Sequence, residues 1–140
     1  MNPLITCLCL TRSRREWLPK AIACFQAQTH EPRELLIVAD QPSDVEGLVP
    51  DAPNIHVLYA PGVVGTKRNI GSDAAAGEFI AVWDDDDWSE PGRLADQVAR
   101  LLETGKSVTG YYSMKFTDGV KWWQYTGWPN MALGTSLDYR

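Results

Sequence analysis

The chain has 140 residues, 44% apolar and 22% charged, with a formal net charge of −5. That length suits one domain over residues 1–140 with a real hydrophobic core and leaves too little chain for two. The acidic balance argues against non-specific binding to nucleic acid or anionic membrane, which starts from phosphate neutralisation, and no apolar run approaches the roughly 20 residues of a membrane span.

Pro3 to Thr11, "PLITCLCLT", is a continuous apolar run of buried-strand length. It leads into "RSRREWLPKAIACFQAQT", where Leu18, Ile22 and Phe25 recur at helical spacing beside Trp17, Ala21 and Cys24. Ser13 is the expected cap, and Pro19 fits only in the first turn. Glu34 to Asp40, "ELLIVAD", is a second buried strand ending in an acid, and Asn54 to Tyr59 a third. "PGVVG" reads as a loop before a helix over Thr66 to Ala76. Phe79 to Trp83 is the fourth strand, and Arg93 to Glu103 a helix with Leu94, Val98, Leu101 and Leu102 on one side, ended by Gly105. From Lys106 the pattern changes to β signals: "SVTGYYSMKF", "GVKWWQY" and "ALGTSLDY".

Alternating strands and helices predict an α/β three-layer sandwich with a mostly parallel central sheet, followed by antiparallel C-terminal strands. Ligands of such sheets bind beyond the carboxyl ends of the strands. The polar clusters lie there: Thr11-Arg12-Ser13, Asp40, and Asp84 to Asp87. Cys7, Cys9 and Cys24 have no zinc spacing with His30 and His56 and read as buried thiols of a reducing compartment. With no signal-peptide layout at the N-terminus, the expected location is cytoplasmic.

Four adjacent carboxylates after a buried strand, "FIAVWDDDDW", need an explanation. Two carboxylates about 4 Å apart repel by about 1 kcal/mol in water and about 4 kcal/mol at a protein-like dielectric. Either they splay into water, or some share a divalent cation such as Mg2+ or Mn2+. In an extended backbone Asp84 and Asp86 would share one face, and Asp85 and Asp87 the other. Asp-x-Asp supplies only one or two ligands, so water and substrate phosphates would complete the shell, which suggests a nucleoside diphosphate compound. In "GTKRNIGSDAAAGEFI", Lys67 and Arg68 stand in the first turn of a helix, where anions are already favoured. A solvated basic helix end accounts for that spacing equally well.

Taken together, these segments resemble the family 2 glycosyltransferases of the GT-A (Rossmann-like) fold, which move a sugar from a nucleotide-sugar to an acceptor. "ITCLCLTRSRREWLPKAIACFQAQTH" is similar to the first strand, loop and helix, usually written Thr-Tyr-Asn-Arg where this chain has Thr11-Arg12-Ser13-Arg14. "ELLIVADQPSD" resembles the second strand, with Gln41-Pro42 in place of the usual Gly-Ser. "GTKRNIGSDAAAGEFIAVWDDDDW" resembles the Arg-Asn-x-Gly helix and the Asp-x-Asp element, and "ALGTSLDYR" the later strand on the acceptor side.

The resemblance implies a metal-dependent glycosyltransferase that uses a UDP-sugar and Mn2+ or Mg2+. Thr11 and Asp40 would contact the base, with Arg12 or Arg14 near the nucleotide. Lys67, Arg68 and Asn69 would approach the diphosphate or donor sugar. Asp84 and Asp86 would bind ribose and metal, Asp85 would line the donor site, and Asp87 would sit beside the donor sugar. Asp87 and Arg68 are the candidate catalytic pair. The family's usual carboxylate base segment has no counterpart: Asp118 and Asp138, the acids after Glu103, do not match it. A retaining mechanism, a base from another chain, and a nucleotide-binding remnant all stay open. A nucleotidyltransferase would be expected to carry a Gly-rich loop after the first strand, which "TRSRREW" lacks. From a different class, a non-catalytic nucleotide-sugar-binding module or half of a split enzyme is the competing reading. The acceptor is not identified by the sequence, and a nucleic acid is disfavoured only by net charge.

"VKWWQYTGW" carries Trp122, Trp123, Tyr125 and Trp128. In a strand Trp122 and Gln124 face one way, Trp123 and Tyr125 the other. Core packing is one use of these rings; an acceptor surface or a homo-oligomer contact is the other.

Overall fold

A computed structural model describes residues 1–126 and the backbone of strand Leu137–Tyr139. Trp128 and most of the "ALGTSLDYR" segment lie outside the described residues. The elements run β1 (Ile5–Thr11), α1 (Leu18–Gln26), β2 (Arg33–Ala39), β3 (Ile55–Tyr59), α2 (Val64–Ala74), β4 (Phe79–Val82), α3 (Arg93–Thr104), β5 (Val108–Thr109), β6 (Ser113–Thr117), β7 (Trp122–Thr126) and β8 (Leu137–Tyr139). The main sheet has the order β3-β2-β1-β4-β8-β5. Its first four strands are parallel, and β8 runs antiparallel to both β4 and β5. β6 and β7 form a separate antiparallel hairpin.

Both faces of the parallel strands are covered, so their sequences read as continuous apolar runs. On one face Cys7, Cys9, Leu35, Ile37 and Ala81 pack with Leu18, Ile22 and Phe25 of α1 and Leu94, Val98 and Leu101 of α3. On the other face lie Leu8, Leu36, Val38 and Ala60, beneath α2. These are the expected three layers. All three cysteines are buried free thiols, and burial pushes the Cys7 thiol up to about 12. Gly71 lets α2 settle on the sheet: a Cβ there would stand 2.5 Å from Leu8 Cδ1 and 3.0 Å from Val38 Cγ2.

Several local expectations are corrected. α2 starts at Val64, so the end of "PGVVG" is helical. α1 starts at Leu18 after a turn, with Pro19 in its first turn as expected, and Ser13 is no cap. Ser13 instead adopts a left-handed φ of 53° and donates its N–H to Asp44 Oδ1 at 3.0 Å. Leu102 is exposed rather than on the packed side of α3. Trp17, at the start of α1, is also exposed, beneath the Lys20 ammonium. β4 ends at Val82, one residue before the expected Trp83, and the chain turns after Asp84, with Asp87 N–H directed to the Asp84 carbonyl at 3.4 Å.

Candidate active site at the sheet edge

Because β1, β2 and β4 are parallel, their carboxyl ends share one edge. The β1–β4 register sets Ile5 opposite Phe79 and Leu8 opposite Val82; carried on, it brings Thr11 level with Asp85. There the Thr11 hydroxyl donates to Asp85 Oδ2 at 2.9 Å, both side chains buried. Arg14, from the loop after β1, forks across two aspartates, with Nη1 on Asp85 Oδ1 at 2.9 Å and Nη2 on Asp86 Oδ2 at 2.8 Å. Two of the four carboxylates are thus paired within the chain itself, by an arginine supplied from the neighbouring strand end. Since the run turns, Asp84 and Asp86 do not alternate with Asp85 and Asp87 as an extended strand would require.

Lys67 reaches down from the first turn of α2 and is itself buried. Its Nζ donates to the Thr11 carbonyl at 2.8 Å and to Asp40 Oδ1 at 2.6 Å, tying the ends of β1 and β2 together. Arg12 Nε lies 3.4 Å from the other Asp40 oxygen, on the solvent side. Arg68 is half-buried and acts on Asp84, whereas Asn69 is exposed. The edge thus brings together Thr11, Arg12, Arg14, Asp40, Lys67 and Asp85–Asp86 by direct contact, with Arg68 near Asp84. Among the described residues, no hydrogen bond or ion pair ties the exposed Asn69 side chain to this cluster.

Electrostatics follow from depth. Arg14 holds its proton more tightly, chiefly because of Asp85. For Asp85 itself burial outweighs the Thr11 hydrogen bond and the Arg14 attraction, so its carboxyl is pushed up. Asp84 is raised by burial, against the lowering influence of Arg68. Asp87 is raised to about 6, first by burial and then by Asp84 and Asp86. This edge carries more negative charge than its internal cations offset.

Residues beyond the sequence reading hold the edge in place. Buried Asp44, in a short 3-10 turn over Pro42–Asp44, accepts the Ser13 N–H and, through Oδ2, the N–H groups of Asp40 and Gln41 at 3.2 Å each. Its signal was the Pro-Ser-Asp turn after β2, but its partner Ser13 is remote in sequence. Arg93, buried at the start of α3, donates to the Val82 carbonyl at 2.8 Å and the Ser89 hydroxyl at 3.0 Å, and its guanidinium lies 5.1 Å over Trp83. Asp118, already considered from the sequence, belongs to the hairpin and not to this edge: it caps the β6–β7 turn, accepting from Val120 N at 2.9 Å and Lys121 N at 2.7 Å.

The metal's fit rests on Asp84 and Asp86. Both are hard carboxylate donors that reach solvent, the latter 38% exposed. Among the described residues no group of three or more His, Cys, Asp or Glu side chains is arranged to hold an ion. The pair fits an ion whose other ligands are water and phosphate oxygens, as Mg2+-type sites commonly are.

The sequence pattern of Glycosyl transferase family 2 matches residues 7–138, nearly the whole chain. The chain belongs to glycosyl transferase family 2. This family 2 chain is 32% identical over 117 residues to the GalNAc(5)-diNAcBac-PP-undecaprenol beta-1,3-glucosyltransferase of Campylobacter jejuni, a match covering 77% of the chain and 38% of that protein. It is 28% identical over 136 residues to the putative glycosyltransferase EpsH of Bacillus subtilis, covering 86% of the chain and 37% of the relative. The chain therefore spans well under half the length of these relatives. Among solved structures it resembles S. aureus TarS 1-349 in complex with UDP-GlcNAc (TM-score 0.66, 20% identity, 86% of this chain and 36% of that one). It also resembles the mannosyltransferase PcManGT from Pyrobaculum calidifontis in complex with GDP-Man and Mn2+ (TM-score 0.67, 18% identity, 79% of this chain and 36% of that one). These likenesses show the GT-A fold.

Proposed function

We propose that this family 2 domain binds a nucleoside-diphosphate sugar, a UDP-sugar in the first instance, at the edge formed by β1, β2 and β4, and that it serves glycosyl transfer to an acceptor hydroxyl. The observation that carries the reading is the convergence of Asp40, Lys67, Arg12, Arg14 and the Asp84–Asp87 turn on the edge where open parallel sheets take their ligands. The UDP-GlcNAc and GDP-Man complexes of the structural relatives support it.

In this reading Asp40 meets the base, and Thr11 and Asp85, both buried, fix the loop that presents Arg12 and Arg14 to the nucleotide. Lys67 orders the edge, while Arg68 and Asn69 of α2 face the diphosphate and donor sugar. Asp87 stands beside the transferring sugar. Asp84 and Asp86 would hold Mn2+ or Mg2+, which when bound supplies Lewis-acid stabilisation to the departing diphosphate. Arg14 already neutralises Asp86, so a metal ion has to compete with that contact. The Asp118 carboxylate is committed to its hairpin turn and does not serve as the acceptor's base.

The test is incubation of the chain with labelled UDP-, GDP- and dTDP-sugars and Mn2+. Donor hydrolysis or transfer is the expected result. Binding without turnover identifies a nucleotide-sugar-binding module or half of a split enzyme, and failure to bind any donor overturns the reading.

A further inference from the structure

A cleft of about 920 Å³ starts at Asp87 and runs past the start of α3 to the β6–β7 hairpin. Its chemistry differs from that of the nucleotide edge. Trp88 and Trp122 both line it, and each leaves more than two-thirds of its surface in solvent, 68% and 69%. The Trp122 side of the hairpin also carries Gln124 and Ser113, joined at 2.8 Å, which add amide and hydroxyl groups to the wall. A second concavity of about 480 Å³ shares Lys115, Trp122 and Gln124 with the first, so the hairpin presents binding surface beyond the cleft itself.

The charge of the lining narrows the occupant. Three carboxylates reach it, from Asp87, Glu90 and Asp96, against the ammonium of Lys115. The other cation in the wall, Arg93, is buried and donates to Val82, Ser89 and Gln97. A polyanionic chain would meet net repulsion there. A neutral sugar ring suits the same lining: its C–H faces lie on indole rings, and its hydroxyls donate to carboxylate and amide oxygens.

We propose that this cleft binds a neutral saccharide, the glycosyl acceptor, stacked on Trp88 and Trp122 with its reacting end at Asp87. The assignment as acceptor rests on the donor reading above; the saccharide chemistry of the cleft stands on its own lining. The occupant is a carbohydrate chain rather than a phosphate-bearing polymer or a lipid diphosphate headgroup.

The experiment is a glycan array carrying neutral, carboxylated and phosphorylated glycans, probed with the chain and with Trp122→Ala and Trp122→Phe, beside calorimetry of UDP with Mn2+ on the same three proteins. The expected result is retention on neutral glycans, weakened about tenfold or more by Trp122→Ala and less by Trp122→Phe, with UDP affinity unchanged within about twofold. Retention on anionic glycans only, no retention on neutral ones, or neutral binding indifferent to Trp122→Ala overturns the proposal. Loss of UDP binding in the parent chain, with Trp122-dependent glycan binding intact, sinks the donor reading and leaves the saccharide cleft standing.

Discussion

The strand-end edge and the β6–β7 hairpin are built on opposite plans. At the edge, functional groups are engaged with one another: Lys67 with Asp40 and the Thr11 carbonyl, Arg14 with Asp85 and Asp86, Asp44 with three N–H groups. In the hairpin, Phe116, Trp122, Trp123 and Tyr125 are exposed, and register puts Phe116 with Trp123 and Met114 with Tyr125 on one side. The contrast shows two kinds of preparation. The edge holds a charged constellation in one geometry before any ligand arrives, and the hairpin keeps apolar area uncovered for a contact yet to be made.

If the edge is a pre-paired cluster, removing a buried cation from it should cost most. Lys67→Met leaves Asp40 facing only Arg12 and is expected to lower stability by about 3 kcal/mol in denaturant titrations. A loss below about 0.5 kcal/mol would show that the edge is held by the strands alone. Arg14→Gln should cost about 2 kcal/mol without metal, and Mn2+ should recover more stability in this variant than in the parent, because the ion no longer competes with a guanidinium. Equal recovery in both would mean that Arg14 and the ion do not share Asp86.

Smaller effects sharpen the same contrast. Asp87 titrates near 6 in the fold, above its ordinary value of 3.8, so its contribution to stability is fully present below about pH 4 and lost as pH rises through about 6. Raised Asp84 and Asp85 act in the same direction. Asp87→Asn should therefore stabilise the metal-free chain at pH 7 by about 1 kcal/mol, after allowance for solvent screening, and by nothing at pH 4. Thermal melts at the two pH values check the sign. Trp123→Ala, on the exposed hairpin, should move stability by no more than about 0.5 kcal/mol, where a core tryptophan such as Trp83 would cost about 3 to 5.

The same division governs what could be read from the chain. The parallel strands and the inward residues of α3, Leu94, Val98 and Leu101, announced themselves through local periodicity, since both faces of the sheet are covered. So did the gathering of polar groups at strand ends, which parallel topology forces onto one edge. Contacts between distant segments were not legible. The Asp85–Arg14 pair joins residues separated by 71 positions, and the Ser13 N–H finds Asp44 rather than capping the adjacent helix. Leu102 shows the limit from the other side: its spacing suits the packed face of α3, yet it is exposed because nothing covers that flank among the described residues. The cleft between Trp88 and Trp122 likewise depends on where the hairpin sits, which spacing alone does not encode.

The most direct test of the strand-end site is calorimetric titration of UDP into the chain and into Asp86→Ala, each with and without Mn2+. The site described here predicts manganese-dependent binding in the parent and a loss of at least about tenfold in the variant, whose circular dichroism stays that of the parent. Equal affinity of the two proteins for UDP with Mn2+ would contradict the assignment of the acidic turn to nucleotide and metal.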